Sequence, residues 1–151
     1  MIRIVEAAEA DIPRILEIEQ EAISPPWTYG SFLTEIFRAD ALFVVAVSEK
    51  PESTGKGILG FMLLRLTPGE GELLQIAVDK DARRCGVADM LMGAILAYAK
   101  KNALKSVFLE VRKSNEAAIA LYKKHGYKPV SLRKNYYTSP IEDALIMAAE
   151  M

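Results

Sequence analysis

The sequence predicts an α/β protein in which a mixed, mostly antiparallel sheet is flanked by helices on both faces. Two observations lead to this prediction. The elements follow the order strand, two helices, three strands, helix, strand, helix and two strands, and the helical segments carry apolar residues at helical spacing. A chain of 151 residues is long enough to bury a real core. We therefore expect residues 1–151 to form one domain, without repeats, linkers or low-complexity segments.

The N-terminal part is predicted to be a short strand followed by two helices. Ile2 to Val5 is an apolar, β-branched run typical of a strand. Asp11 as N-cap and Pro13 in the first turn favour a helix start at this point. Prolines in the segment Pro25-Pro26-Trp27 end this helix. A second helix is predicted from about Tyr29 to Phe37.

Three strands are predicted in the middle of the chain. The runs Leu42 to Val47 and Ile58 to Leu66 are apolar and rich in β-branched residues, and the polar turn region 49–57 separates them. They are expected to pair as a hairpin. Pro68-Gly69 then turns the chain into a third strand, Glu72 to Val78.

The C-terminal third alternates strands and helices. A strand is predicted for Ser106 to Val111 and a helix from about Asn115 to Lys124, with Gly126 as a C-terminal helix signal. Two more strands follow, roughly Tyr127 to Asn135 and Asp143 to Ala148. Helices between strands on both sides of the sheet complete the predicted fold class.

Charge and composition exclude several classes of function. The formal net charge is −1, from 19 basic and 20 acidic residues, so no global field attracts nucleic acid or an anionic membrane. One cysteine and one histidine argue against a disulfide framework and a zinc site, and we expect no metal. The N-terminus has an early acidic run and no long apolar stretch, which predicts neither a signal peptide nor a membrane span. We expect the protein in the cytoplasm.

A basic, glycine-containing turn joins the strand ending at Val78 to an amphipathic helix of about 15 residues. Gly86 and Ala88 keep side-chain bulk away from the backbone, so N–H groups at the helix start can converge on phosphate oxygens. Arg83 and Arg84 add positive charge. The chain has neither G-x-G-x-x-G nor G-x-x-x-x-G-K-[ST], which argues against a dinucleotide fold or a nucleotide triphosphatase. An anionic cofactor is predicted; an ordinary strand-to-helix turn is the alternative.

This turn resembles the acetyl-CoA loop of the GCN5-related N-acetyltransferases (GNAT). The residues Arg83-Arg84-Cys85-Gly86-Val87-Ala88 fit the pattern Gln/Arg-x-x-Gly-x-Gly/Ala. The run from Leu109 to Tyr122, LEVRKSNEAAIALY, resembles the RimI-type ribosomal-protein-alanine N-acetyltransferases. The resemblance covers the whole chain, most specifically Gln75 to Met147, and includes Gly126-Tyr127, Arg133 to Tyr137, Glu142 to Met147 and, near the N-terminus, Pro25-Pro26-Trp27.

The resemblance implies that Glu110 is the proton acceptor and Tyr122 the proton donor. The chemistry is reasonable, because an amine must lose a proton to attack a thioester and the departing thiolate benefits from one. Holding amine and thioester together supplies much of the acceleration. Alternation along the predicted strand places Glu110 near its C-terminal end, where ligands bind in open α/β sheets. Without the resemblance, Glu110 is typical of a salt-bridged surface residue and Tyr122 of a core residue.

The resemblance also implies the residues that bind acetyl-CoA as cosubstrate. They are Ile76, Ala77, Val78, Arg84, Cys85, Gly86, Val87, Ala88, Asp89 and Asn115. Asn115 would cap its helix by default, and both roles are compatible. Asp89 is acidic, whereas similar proteins often have a basic or neutral residue at this position. We expect its side chain to point away from the anion or to stabilise the helix dipole. Cys85 as a nucleophile lacks support, since the single histidine, His125, is 40 positions away.

An N-terminal amine is the expected acceptor. Presenting a neutral amine at pH 7 costs about 1.4 kcal/mol for an α-amine and roughly 4.6 kcal/mol for lysine. The resemblance implies the N-terminal alanine of a small-subunit ribosomal protein, number eighteen, and Trp27, Tyr136 and Tyr137 are predicted to line the peptide groove. Two alternatives remain open: acetylation of lysine side chains or small amines, and a non-catalytic acyl-CoA-binding module.

Overall fold

A computed structural model describes residues 1–22, 26–49 and 57–151. Within these ranges the chain forms seven strands and four α-helices. The strands are β1 (Ile2–Glu6), β2 (Ala41–Ser48), β3 (Ile58–Thr67), β4 (Glu70–Val78), β5 (Ser106–Arg112), β6 (Lys128–Thr138) and β7 (Ile141–Glu150). The helices are α1 (Ile12–Ala22), α2 (Tyr29–Ile36), α3 (Val87–Lys101) and α4 (Glu116–Lys124). Pro25 and most of the predicted turn region 49–57 lie outside the described residues.

The seven strands form one mixed sheet in the order β1-β2-β3-β4-β5-β7-β6. Strand β4 pairs with β5 in parallel, and every other recorded pairing is antiparallel. A parallel pair needs a crossover connection, and α3 lies in the segment that makes it. The predicted fold class, a mostly antiparallel mixed sheet with helices, is confirmed.

The parallel pairing of β4 with β5 is short. It joins Glu70–Leu73 to Ser106–Leu109 and goes no further among the described residues. Beyond that point β4 continues alongside β3, and β5 continues alongside β7. The sheet therefore opens into a gap, here called the fork, between residues 75–78 of β4 and residues 110–112 of β5.

A β-bulge in β4 adjoins the fork. Leu63 of β3 pairs with Gln75, but the next residue, Leu64, pairs with Leu73, so Leu74 is an extra residue. A bulge reverses the alternation of side chains beyond it. Leu73 accordingly packs in the core beneath α3, whereas Ala77, four residues later, packs in the core beneath α1 and α2.

Two hydrophobic cores fill the two faces of the sheet. On one face, Leu91 and Ile95 of α3 pack against Met62 and Leu109. On the other face, the core includes Ile15 and Ile18 of α1, Phe32 of α2, and Phe43, Phe61 and Leu63 of the sheet. In β5 the residues that face α3 are Val107, Leu109 and Val111. Alternation therefore places Glu110 on the α1–α2 face.

The predicted N-cap of the first helix is wrong. A 3₁₀ turn, Glu9–Asp11, precedes α1, and the Asp11 carboxylate accepts the backbone N–H of Ala8 at 2.8 Å. Asp11 is therefore the last residue of the 3₁₀ turn, and its carboxylate reaches back to Ala8, which is the N-cap of that turn. The helix begins where the sequence predicts it, as a continuation of the 3₁₀ turn.

Gly60 lies where β3, β4 and the start of α3 meet. A Cβ at this position would stand 2.8 Å from the carbonyl oxygen of Ala77 and 3.2 Å from Cγ1 of Val87. We expect Gly60→Val to lower the free energy of unfolding by about 1–3 kcal/mol, because overpacking forces the backbone to move. Urea denaturation would measure this loss.

Gly93→Ala is the matched control for that substitution. A Cβ at Gly93 meets nothing within 4 Å, and alanine is favoured over glycine inside a helix by up to about 1 kcal/mol. We expect this variant to be as stable as the wild type or more stable. Equal stability of Gly60→Val and the wild type would show that β3 and β4 can move apart without cost.

Candidate active site

The turn before α3 has the backbone that the sequence predicts for an anion cradle. Arg84 and Gly86 both have positive φ, at 65° and 80°. Gly86 is the N-cap of α3 and offers no side chain to the first N–H groups of the helix, which leaves those donors for a ligand. A cavity of about 140 Å³ lies here, lined by Val78, Ala82, Arg83, Arg84 and Gly86 to Asp89.

Two predicted cofactor residues of this turn behave differently from their neighbours. Asp89 binds α4, because its carboxylate lies 2.8 Å from His125 Nε2 and 3.0 Å from Lys124 Nζ. These contacts, the one with His125 foremost, lower the pKa of Asp89. The negative charge in the first turn of α3 is thus balanced from the C-terminal end of α4. The Cys85 side chain is exposed and does not line the cavity.

The other predicted cofactor residues lie at the fork and at the start of α4. Residues 76–78 of β4 pair with β3, and within the described residues they have no partner strand on the fork side. Their backbone groups on that side face the opening, and their cofactor contact stays a prediction. Asn115 caps α4, since its Oδ1 accepts the N–H of Ala118 at 3.2 Å; its cofactor contact stays a prediction.

Glu110 lies at the fork among groups from β6. Its side chain is 22% exposed, and its Oε1 is 3.4 Å from Arg133 Nη1. Hydrogen bonding to Glu110 raises the pKa of Tyr136. Burial, followed by the charge of Glu110, raises the pKa of Tyr137 to about 12. The ring of Tyr137 lies 4.3 Å from the Arg112 guanidinium. The structure thus places Tyr136 and Tyr137, two predicted groove residues, beside the predicted base.

Tyr122 lies in α4 on the other side of the sheet. Its side chain is 8% exposed, and its ring centroid is 6.2 Å from that of Tyr127. Burial, and to a lesser degree the neighbouring Tyr137, raises the pKa of Tyr122 to about 12. The phenol therefore stays protonated at neutral pH, as a proton donor must. Tyr137 is thus close enough to interact electrostatically with both Tyr122 and Glu110.

Trp27, the third predicted groove residue, packs between α1 and α2. Its backbone N–H donates to Oε1 of Glu19 at 2.9 Å, and its ring centroid is 5.4 Å from that of Phe32. A cavity of about 490 Å³ lies beside it, lined by Pro26, Trp27, Thr28, Ser31, Thr34 and Glu35. Trp27 thus lies on the same face of the sheet as Glu110; among the described contacts none joins it to Tyr136 or Tyr137, and its place in the peptide groove stays a prediction.

The structure adds residues that the sequence did not single out. Arg133 is the ionic partner of Glu110. Glu72 of β4 lies near Glu110, and burial first and the charge of Glu110 second raise the pKa of Glu72. Glu19 is fully buried under Trp27, and burial raises its pKa. Their proximity depends on strand register and helix packing, which leave no local signal in the sequence.

The described residues contain neither a metal-binding cluster nor a membrane-spanning helix. No group of three or more histidine, cysteine, aspartate or glutamate side chains there could hold a metal ion. No helix in the described ranges combines the length and apolar character needed to cross a membrane.

Comparisons with known proteins agree with this architecture. A family model described as "Acetyltransferase (GNAT) family" matches residues 12–127. The [ribosomal protein bS18]-alanine N-acetyltransferase of Escherichia coli K12 is 34% identical over 140 residues, which cover 91% of this chain and 90% of the relative.

Solved structures show the same fold. The crystal structure of the ribosomal-protein-S18-alanine N-acetyltransferase from Escherichia coli superposes with a TM-score of 0.88 and 32% identity, covering 99% of this chain and 94% of that one. Arabidopsis thaliana NAA60, solved in complex with acetyl-CoA, has a TM-score of 0.87 and 17% identity, with both chains fully covered. Matched by the family model over most of its length and by a relative over nine-tenths of it, the chain belongs to the GNAT acetyltransferase family.

Proposed function

We propose that this protein transfers the acetyl group of acetyl-CoA to the N-terminal α-amine of a protein, with the alanine of ribosomal protein bS18 as the acceptor. One observation carries the proposal: Glu110, a half-buried carboxylate, lies at the fork beside Tyr136 and Tyr137. The relative from Escherichia coli that bears the name of this activity supports the choice of acceptor.

The residues at the fork and the start of α3 fit acetyl-CoA. The N–H groups at the N-terminus of α3, with Arg84, would hold its phosphates. Backbone groups of residues 76–78 would bind its pantetheine arm and acetyl carbonyl. When bound, acetyl-CoA supplies an acetyl group activated as a thioester.

Glu110 and Tyr122 would move the two protons that the reaction requires. The Glu110 carboxylate accepts a proton from the acceptor nitrogen as this atom forms its bond to the acetyl carbon. The Tyr122 hydroxyl donates a proton to the departing sulfur as the carbon–sulfur bond breaks. No covalent intermediate with the protein is required, since the chain positions both reactants.

The proposal predicts acetylation at the α-nitrogen of a peptide. Purified protein is incubated with acetyl-CoA and either a peptide with a free N-terminal alanine or a peptide with a blocked N-terminus and an internal lysine. We expect acetyl transfer to the free alanine, because its amine is far easier to deprotonate than lysine. Release of CoA and mass-spectrometric site mapping would measure it.

Each other outcome of this experiment has a defined meaning. Modification of lysine alone would contradict the proposal and indicate a lysine acetyltransferase. Preferred acetylation of a small amine such as spermine, offered in competition, would indicate a small-molecule acceptor. Tight binding of acetyl-CoA without transfer to any acceptor would indicate an acyl-CoA-binding module.

A further inference from the structure

Glu72 is a half-buried carboxylate whose charge is not matched by a direct partner. Within the described part of the chain it forms no ion pair and no hydrogen bond. Two arginines lie near enough to influence it, Arg65 and Arg133. Arg65 is bound to Glu35 of α2, and Arg133 is bound to Glu110. The cations near Glu72 are therefore engaged by other carboxylates.

The position of Glu72 is set by strand register. It pairs with Phe108, one pair before the parallel ladder ends at Leu73 and Leu109. Glu110 follows Phe108 by two residues, so both carboxylates project from the α1–α2 face, Glu72 just before the end of the ladder and Glu110 just beyond it. Glu72 and Glu110 thus flank the point where the fork opens.

Two carboxylates in this arrangement favour a cation between them. Each is partly removed from water, and like charges on the same face repel one another; burial first and the charge of Glu110 second raise the pKa of Glu72. The groups that face Glu72 are Arg65 from β3, Glu110 from β5, and Arg133 and Tyr136 from β6. A ligand that brings its own positive charge to the fork would relieve this repulsion.

The acceptor of the proposed reaction carries such a charge. An α-amine with a pKa near 8 is mostly protonated at neutral pH. It loses one proton to water before the nitrogen can attack, and Glu110 accepts the second as the bond to the acetyl carbon forms. We propose that Glu72 binds the protonated amine of the acceptor at the fork and so positions it for Glu110. The inference rests on the proposed function, because it assigns the second carboxylate of the same acceptor site.

Glu72→Gln tests this role, because it keeps the size of the side chain and removes its charge. We expect the KM for the alanine peptide to rise about tenfold, because the variant loses one hydrogen bond to a charged group. The kcat should change less than twofold. The KM for acetyl-CoA should stay constant. Glu72→Asp, which keeps the charge on a shorter side chain, should restore part of the loss.

Two controls separate a charge effect from a structural one. Glu70→Gln changes an exposed carboxylate at the start of the same strand and should leave both constants as in the wild type. The second control is a competitive inhibitor, a peptide in which a hydroxyl replaces the amine of the N-terminal alanine. It carries no positive charge at this position for Glu72 to bind. Its inhibition constant should be equal for the wild type and Glu72→Gln.

Three results would overturn the inference. A large fall in kcat at constant KM would make Glu72 a proton acceptor. An unchanged KM would remove Glu72 from the acceptor site, and equal weakening of the neutral inhibitor would assign the effect to packing. Mapping the acetylated position with the wild-type protein tests the proposed function separately. The KM of Glu72→Gln relative to that of the wild type can be measured with whichever amine the wild type acetylates.

Discussion

Replacing Glu110 by glutamine should lower kcat by about 10²–10⁴-fold, the range for a lost general base. Glutamine keeps the shape of the side chain but cannot accept a proton from the acceptor amine. Binding of acetyl-CoA should be unaffected, because Glu110 lies on β5 and does not line the cavity at the start of α3. Steady-state kinetics and calorimetric titration with acetyl-CoA would measure the two quantities.

The substitution should not unfold the protein. Glu110 is paired with Arg133, whose side chain is 55% exposed, and water can solvate this guanidinium when the pair is lost. Glu150→Gln, an exposed carboxylate at the end of β7, is the control and should keep full activity. Unchanged turnover of Glu110→Gln would remove Glu110 as the base and leave proton removal to another group.

Replacing Tyr122 by phenylalanine should lower kcat by about 10²-fold or more, because the departing thiolate loses its proton donor. The raised pKa of Tyr122, about 12, keeps this phenol protonated over the whole neutral range. We therefore expect no alkaline loss of wild-type activity from Tyr122 below about pH 10. The kinetic constants of both proteins between pH 7 and pH 10 would show this.

Tyr127→Phe is the matched control for that prediction. It makes the same chemical change in a buried tyrosine whose ring centroid is 6.2 Å from that of Tyr122. The Tyr127 hydroxyl is buried without a hydrogen-bond partner among the described residues, so its removal should cost little stability. Loss of activity in Tyr127→Phe with normal activity in Tyr122→Phe would reassign the proton donor.

The variant Tyr122→Phe also tests the raised pKa of Tyr122, through its effect on the free energy of unfolding. A pKa raised from 10.0 to about 12 in the folded state means that the neutral phenol favours folding. This contribution, about 2–3 kcal/mol, is fully present below pH 10 and is lost as pH rises through the folded-state pKa. Between these values the wild type should lose more stability than Tyr122→Phe in urea denaturation. Equal losses would contradict the raised pKa.

Local features of the fold were predictable because they depend on neighbours in the chain. Apolar periodicity predicts α3, and the observed helix, Val87–Lys101, has the expected 15 residues. The glycine at position 86 predicts the tight turn before it, and the observed positive φ agrees. Asp11 shows the limit of such rules: an acidic residue near a helix start can be the cap or, as here, the residue that reaches back to it.

The fork was not predictable from local sequence. It depends on where β4 stops pairing with β5, and on a bulge at Leu74 that is defined only by the register between β3 and β4. Single-residue shifts of register reverse which side chains share a face. The contact of Trp27 with Glu19 and Phe32 likewise follows from the packing of α1 and α2 on the sheet.

By itself, the sequence determined the fold class, the order of the elements and the tight turn before α3, because each of these follows from residue types within about 20 positions of one another. Tertiary structure alone decided which polar groups share the fork: Glu72 from β4, Glu110 from β5, and Arg133, Tyr136 and Tyr137 from β6. Strands distant in the chain bring these groups together, and the free energy that selects their register comes from the two cores packed on opposite faces of the sheet.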